Sequence, residues 1–291
     1  MHKFLGAIGF SKLNKVTEIN TMIQETMDSY DDKIVIEDEN GRLIGQISRD
    51  CGSDMGISVC GEYDEENQFH KDTYFPFFRG ANMSAQAEVS FERQIGKETF
   101  VGAYDDPRVG ITIIFFLQNV GEYPNMVNRG EYSRVPLSVE LAGLAKEGTI
   151  LLPIKKTQEL EDVRRENTKH RNSLMNAARN GDEEAMESLT MEDIDTYSMI
   201  SKRIETEDVL TIVDTYFMPY GLECDQYHIM GDIVSVELVK NRFTGEGVYQ
   251  MELICNDIHL DVCVNQESLF GEPEVGRRFK GIVWLQGNVN F

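Results

Sequence analysis

Ala178-Arg179-Asn180-Gly181-Asp182-Glu183-Glu184-Ala185 lies inside Lys155 to Glu205, the one long segment with sustained helical character. β-patterned sequence flanks that segment on both sides, so its reading divides the chain. Upstream, Leu160, Val163, Leu174, Ala177 and Ala178 follow the spacing of one helical face. Asn167 and His170 fall on the same stripe, so this helix is expected to pack along its ends. Asn180-Gly181 breaks it, because Gly accepts the left-handed conformation that ends a helix. Asp182 then caps a new first turn, in which Glu183 and Glu184 sit favourably against the helix dipole. A short helix carrying Ala185, Met186 and Leu189 is expected next. Thr190, with Asp193 three residues on, opens another, whose face is Ile194, Tyr197, Ile200 and Ile204. The octapeptide looks like the turn of a helical repeat, but it occurs once and solenoids need several copies. The expectation is a helical connector over 155–206.

Before the connector, residues 1–154 read as an α+β domain with a mainly antiparallel sheet. Val16, Ile19, Met22, Ile23, Thr26 and Met27 recur at helical spacing behind Asn14, a candidate cap, and give a helix that covers one face of the sheet. Ile34-Val35-Ile36 and Leu43 to Ile47 flank Asn40-Gly41, the strongest short-range hairpin signal. Tyr74-Phe75-Pro76-Phe77-Phe78 is expected at a sheet edge folded onto the core, since proline cannot donate within a central strand. Ile111 to Leu117 is apolar on both faces and reads as a central strand, with the first helix on one side of it. Leu137 to Leu144 fits a helix or a strand, and Ile150 to Ile154 reads as the last strand of this part.

After the connector, residues 207–291 read as a small β-barrel. Val209 to Phe217 is ambiguous between helix and strand. Tyr227 to Val239, Val248 to Cys255 and Ile258 to Val264 follow as strands, then a connection, then Phe279 to Phe291. That order suits an OB-like barrel, and Gly231, Gly281 and Gly287 suit its corners or bulges.

Length alone suggests two domains for 291 residues. Fifty acidic residues against 28 basic ones leave a formal net charge of −22, which repels phosphate backbones and anionic membranes. The five cysteines form no C-x-x-C pair, which argues against a disulfide framework and a zinc knuckle. No signal peptide or membrane span is legible, so a cytoplasmic setting is expected.

Phe75-Pro76-Phe77-Phe78, Gly110 to Asn119, Leu189 to Tyr197, and Gly276-Arg277-Arg278-Phe279-Lys280-Gly281 through Trp284-Leu285-Gln286-Gly287 together resemble an uncharacterised bacterial family, a domain of unknown function, over essentially the whole chain. The resemblance implies no activity, substrate or cofactor.

Two constellations could carry chemistry. In Cys255 to Val264, strand alternation sets Ile258, Leu260, Val262 and Val264 on one face and Asp257, His259, Asp261 and Cys263 on the other. Neighbours on a face lie about 6 to 7 Å apart. Asp257, His259 and Asp261 are therefore the candidate metal ligands, or a base with its carboxylates, set against an ordinary solvated outer face. In the last strand, Arg277, Arg278, Lys280 and Trp284 form a candidate binding surface of the kind single-stranded nucleic acid uses. The alternative is a contact that buries Trp284 while the arginines pair with carboxylates. Glu223 to His228 is a second ligand-type cluster of no recognised spacing. The P-loop, dinucleotide, zincin and hydrolase signatures are absent, no catalytic residue stands out, and acidic neighbours make Cys51 a poor nucleophile. The leading expectation is a non-catalytic cytoplasmic binding or assembly protein with another protein as partner. The alternatives are a metal-dependent enzyme at Asp257, His259 and Asp261, and an OB-type single-stranded nucleic-acid binder.

Overall fold

The apolar runs pair into two sheets in the computed structural model, which describes residues 2–37, 41–93, 99–119, 136–154, 167, 170–171, 173–178, 180–204, 209–222 and 224–290. The smaller sheet holds β1 (Asp32–Glu37), β2 (Leu43–Gly52), β3 (Met55–Tyr63) and β4 (Phe69–Phe78) in chain order, all antiparallel. β1 and β2 form the expected hairpin, with Gly41 at φ +77°, although Asn40 lies outside the described residues. Helix α1 (Val16–Asp28) turns Ile19, Met22, Ile23 and Thr26 inward and packs on β2 and β3. It does not cover the Ile111 strand as expected, and Lys15, not Asn14, occupies its cap position. Pro76 sits in β4, an edge strand, as its missing N–H requires.

The larger sheet contains β5 (Ala85–Ala87), β6 (Ser90–Arg93), β7 (Phe100–Asp106), β8 (Ile111–Leu117), β9 (Leu137–Leu151), β10 (Tyr216–Pro219), β11 (Gln226–Lys240), β12 (Gly247–Cys255), β13 (Ile258–Asn265), β14 (Leu269–Phe270) and β15 (Arg278–Asn290). Its order is β10-β11-β12-β13-β9-β15-β8-β7-β6, with a further pairing of β11 to β15. The path β11-β12-β13-β9-β15 therefore returns to β11 and makes a closed ring of hydrogen-bonded strands. Most pairs are antiparallel; β13–β9, β14–β9 and β15–β8 are parallel. Leu137 to Leu144 is a strand, continuous with Ile150 in β9. The fold is α+β, dominated by antiparallel sheet.

Strand alternation explains the ring's interior. Ile258, Leu260, Val262 and Val264 of β13 point inward together with Phe279, Val283, Leu285 and Val289 of β15. Gly231 is needed where β11 passes β12, because a Cβ there would lie 2.3 Å from the Cys255 sulfur. Register shifts between Ile233 and Ser235 and between Gly281 and Val283 bend the long strands.

The ring is not built from one segment. β9 of the expected 1–154 domain lies between β13 and β15 of the expected 207–291 barrel. Each apolar cluster likewise draws on both segments: Phe4, Phe75 and Phe116 pack with Trp284 and Cys263 in one, and Phe115 and Leu141 pack with Leu260 and Leu285 in the other. The two segments share their cores instead of each having its own.

In the helical stretch, residues 173–178 are helical, Gly181 adopts φ +90°, and the Ala185 N–H donates to Asp182 Oδ1 at 3.1 Å, as the cap requires. Helix α2 (Glu183–Ile204) then runs unbroken. Thr190 does not open a new helix; its hydroxyl donates back to the Met186 carbonyl at 2.8 Å. The described side chains of α2 are mostly exposed, whereas Leu160, Val163 and the side chains of Tyr197, Ile200 and Ile204 lie outside the described set. The ambiguous Val209 to Phe217 contains both elements, a single turn α3 (Val209–Ile212) and then β10. Among the described residues no helix is long and apolar enough to cross a membrane.

A buried amide pair joins the sheets. Gln286, fully buried in β15, donates from Nε2 to the Pro76 carbonyl at 2.8 Å and accepts the Phe78 N–H at 3.2 Å. Gln118 Nε2 donates to Gln286 Oε1 at 2.6 Å and to the Phe78 carbonyl at 2.7 Å. The edge of β4 that Pro76 weakens is thus satisfied by side chains. Gln286→Leu should strand these partners and lower the unfolding free energy by roughly 3 kcal/mol or more in urea titration; a change within about 0.5 kcal/mol would refute the coupling. Because β9 completes the ring, residues 207–291 expressed alone should show no cooperative thermal transition, and a sharp one would contradict the shared core.

Candidate functional site

β15 positions the candidate site. One of its edges pairs with β9 almost throughout. The other edge pairs with β11 from Arg278 to Trp284 and then with β8 at Gln286 and Gly287. Where the edge passes from one neighbour to the next, the flanking strands part. Trp284 sits at that fork, on the face opposite the ring interior.

There it lines a cleft of about 200 Å³ with His2, Phe4, Tyr74, Phe116 and Gln226. The indole is 5 % exposed. Phe4 stacks on it with centroids 5.6 Å apart and planes at 23°, Phe116 lies at 5.0 Å and the His2 ring at 4.7 Å. Its N–H donates to Asp225 Oδ2 at 2.7 Å. The Tyr74 hydroxyl accepts the His2 main-chain N–H at 3.1 Å and anchors the entering segment. The Lys3 and Lys146 ammonium groups stand 5.8 and 5.3 Å from the Phe4 ring centroid. Gln226 is 7 % exposed, and its Nε2 has no acceptor among the described residues. A buried amide N–H without a partner is costly, so it marks a place where a ligand atom would be welcome.

The residues singled out from sequence go elsewhere or act differently. Asn256 and Asp257 form a two-residue hairpin turn, both with positive φ (49° and 62°), so Asp257 is not on the strand face. Its carbonyl accepts from Arg108 Nη1 at 2.9 Å. His259 Nδ1 pairs with Glu252 Oε1 at 2.9 Å. Asp261 is buried and accepts the Ala81 and Asn82 N–H groups at 2.8 and 3.4 Å. That face is not an ordinary solvated one, because the single turn Leu5–Ile8 and Gly80 to Asn82 lie across β13. The three side chains do not converge, and no group of three or more His, Cys, Asp or Glu side chains among the described residues could hold a metal ion.

Arg277, Arg278, Lys280 and Trp284 do not share a surface. Arg278 is 4 % exposed and donates to the carbonyls of Leu152, Leu210 and Val213. Arg277 pairs with Glu274 at 2.9 Å. The burial of Trp284 is the contact anticipated as an alternative, though Arg278 meets carbonyl oxygens where carboxylates were expected. In the cluster from Glu223 to His228, Glu223 lies outside the described residues, and the remainder supplies Asp225 and Gln226 to the cleft. His228 meets the Tyr216 hydroxyl at 3.1 Å, and burial lowers its pKa. Nothing local in the sequence marks His2 or Phe4 as partners of Trp284.

Cys51, Cys255 and Cys263 are buried thiols. Burial, more than the neighbouring Asp50, pushes the Cys51 thiol up to about 12. Burial also raises Cys255, Cys263 and Tyr104, so these groups are neutral and poorly suited to nucleophilic work.

Residues 5–287 match the model of a family described as "Domain of unknown function, E. rectale Gene description (DUF3881)". The chain belongs to this family. The DUF3881 match takes in the cleft residues contributed by β4, β8, β11 and β15, while His2 and Phe4 precede it. No curated protein and no solved structure matches the chain.

Burial raises the Asp261 carboxyl above its ordinary value of 3.8, against the two main-chain N–H bonds that lower it. The folded state then holds the proton longer than the unfolded state does. Stability from this group is complete below 3.8 and is lost as pH rises through the raised value. Asp261→Asn should therefore melt higher than the parent at neutral pH, with an advantage that shrinks on acidification towards 3.8. An advantage that grew on acidification would reverse the assignment.

Proposed function

We propose that this protein is a non-catalytic, cytoplasmic binding protein whose ligand occupies the cleft beside Trp284. The observation that carries the reading is the Gln226 amide, buried without an acceptor at the edge of an aromatic-walled space. The buried thiols of Cys51, Cys255 and Cys263 support a non-catalytic reading, since burial holds each of them neutral.

We read the ring β11-β12-β13-β9-β15 as a small closed barrel of OB-like type in permuted order. The meander β11-β12-β13, a connection and the return strand β15 follow the OB sequence of elements. The remaining position is taken by β9, which precedes the meander in the chain. OB barrels bind oligonucleotides on the face of their second and third strands. Here that face is β12–β13, and the N-terminal segment covers β13. Together with the net charge of −22, this disfavours the nucleic-acid reading. The separation of Asp257, His259 and Asp261 disfavours the metal-enzyme reading.

Trp284 is the only tryptophan, so its fluorescence reports on this cleft alone. In a small-molecule screen, compounds that raise the melting temperature should also shift or quench Trp284 emission. Saturation at about a hundredfold over Kd corresponds to about 2.7 kcal/mol of stabilisation. Stabilising ligands that leave the emission unchanged would place the site elsewhere, and turnover in a broad hydrolase screen would overturn the non-catalytic reading.

A further inference from the structure

The geometry points to a flat ring bearing a carbonyl-type acceptor, as a neutral carbonyl or a carboxylate, as the ligand of the Trp284 cleft. This rests on the binding reading above and gives it a chemical class. The first argument is size. A space of about 200 Å³ is below the roughly 300 to 1,000 Å³ of drug-sized pockets and suits a single ring with a small substituent.

The second argument is the walls. Phe4, Phe116 and Trp284 are part of its lining, and their own centroid separations of 5.0 and 5.6 Å are those of stacked or tilted ring pairs. An inserted ring would extend the same set of contacts, which a flexible aliphatic chain would satisfy less well.

The third argument is polarity. The Gln226 N–H is a donor left over in the cleft, and a ligand acceptor there would satisfy it. The Asp225 Oδ2 atom already receives the indole N–H and does not call for a ligand donor in its place. Lys3 lines the cleft, but so does the Asp225 carboxylate, so charge does not choose between a neutral and a charged acceptor.

The test is titration of the intact protein with benzamide, benzoate, toluene, benzylammonium and acetamide, followed by Trp284 emission and by melting temperature. Benzamide and benzoate should bind at least about tenfold more tightly than toluene, benzylammonium or acetamide, because only they supply both ring and acceptor. Comparing the two tight arms tells whether the neutral or the charged acceptor is the better fit. Gln226→Glu, nearly equal in shape, should weaken both by at least about tenfold, since it replaces the donor with a carboxylate. Binding led by toluene or benzylammonium would overturn the class and leave the site standing. Silence from all five compounds, in emission and in melting alike, would overturn the site itself. The comparison among compounds on the unaltered protein decides the matter even if Gln226→Glu fails to fold.

Discussion

A strand has two edges, and β15 must serve three neighbours with them. β9 takes one edge nearly end to end, while β11 and β8 divide the other. That division sets the geometry of everything around it. The ring closes because β11 reaches the first half of β15, and the outer strands β8, β7 and β6 extend from the second half. Between the halves, main-chain pairing alone cannot fill the fork. Trp284 and Gln286 project there on the same face, one into the cleft and the other to the edge of the smaller sheet.

The two polar solutions at the fork differ in kind. Gln286 is saturated: both ends of its amide are used, and Gln118 completes the set. Buried amides satisfied in this way fix the relative placement of two sheets more sharply than apolar contact can, because a displaced sheet would leave N–H and C=O groups without partners. Gln226 is unsaturated on its nitrogen, a short distance away in the same fork. Similar side chains therefore serve opposite purposes, one holding the architecture and the other left with capacity to spare.

Periodicity made much of this legible. The hairpin around Gly41, the edge position of Pro76, the break at Gly181 and the inward face of Ile258 to Val264 all follow from local rules of backbone and alternation. Alternation says which residues share a face, but not which strand lies beside them. Nothing in Leu137 to Leu151 names β13 as its parallel neighbour, more than a hundred residues on. The shared cores were hidden for that reason. Polar residues on the second face of β13 suggested solvent, but Asp261 is buried because the main-chain N–H groups of Ala81 and Asn82 compensate it, and they come from a distant loop. Asp257 looked like a strand residue because Asn and Asp tolerate the left-handed turn that glycine usually marks. Trp284 stood out by its rarity; its neighbours His2 and Phe4 could not, since only the folded chain brings them there.

Arg278 has a consequence of another sort. Its guanidinium holds the carbonyl of Leu152, where the chain leaves β9, and those of Leu210 and Val213, where it returns towards β10. The stretch between them, helical over residues 173–178 and Glu183–Ile204, thus departs and comes home at a single side chain. A change in its length would add little closure cost, since doubling the length of a closed loop costs only about 0.6 kcal/mol. Evolution could lengthen, trim or exchange it as a cassette while the clasp at its base kept the strands in register.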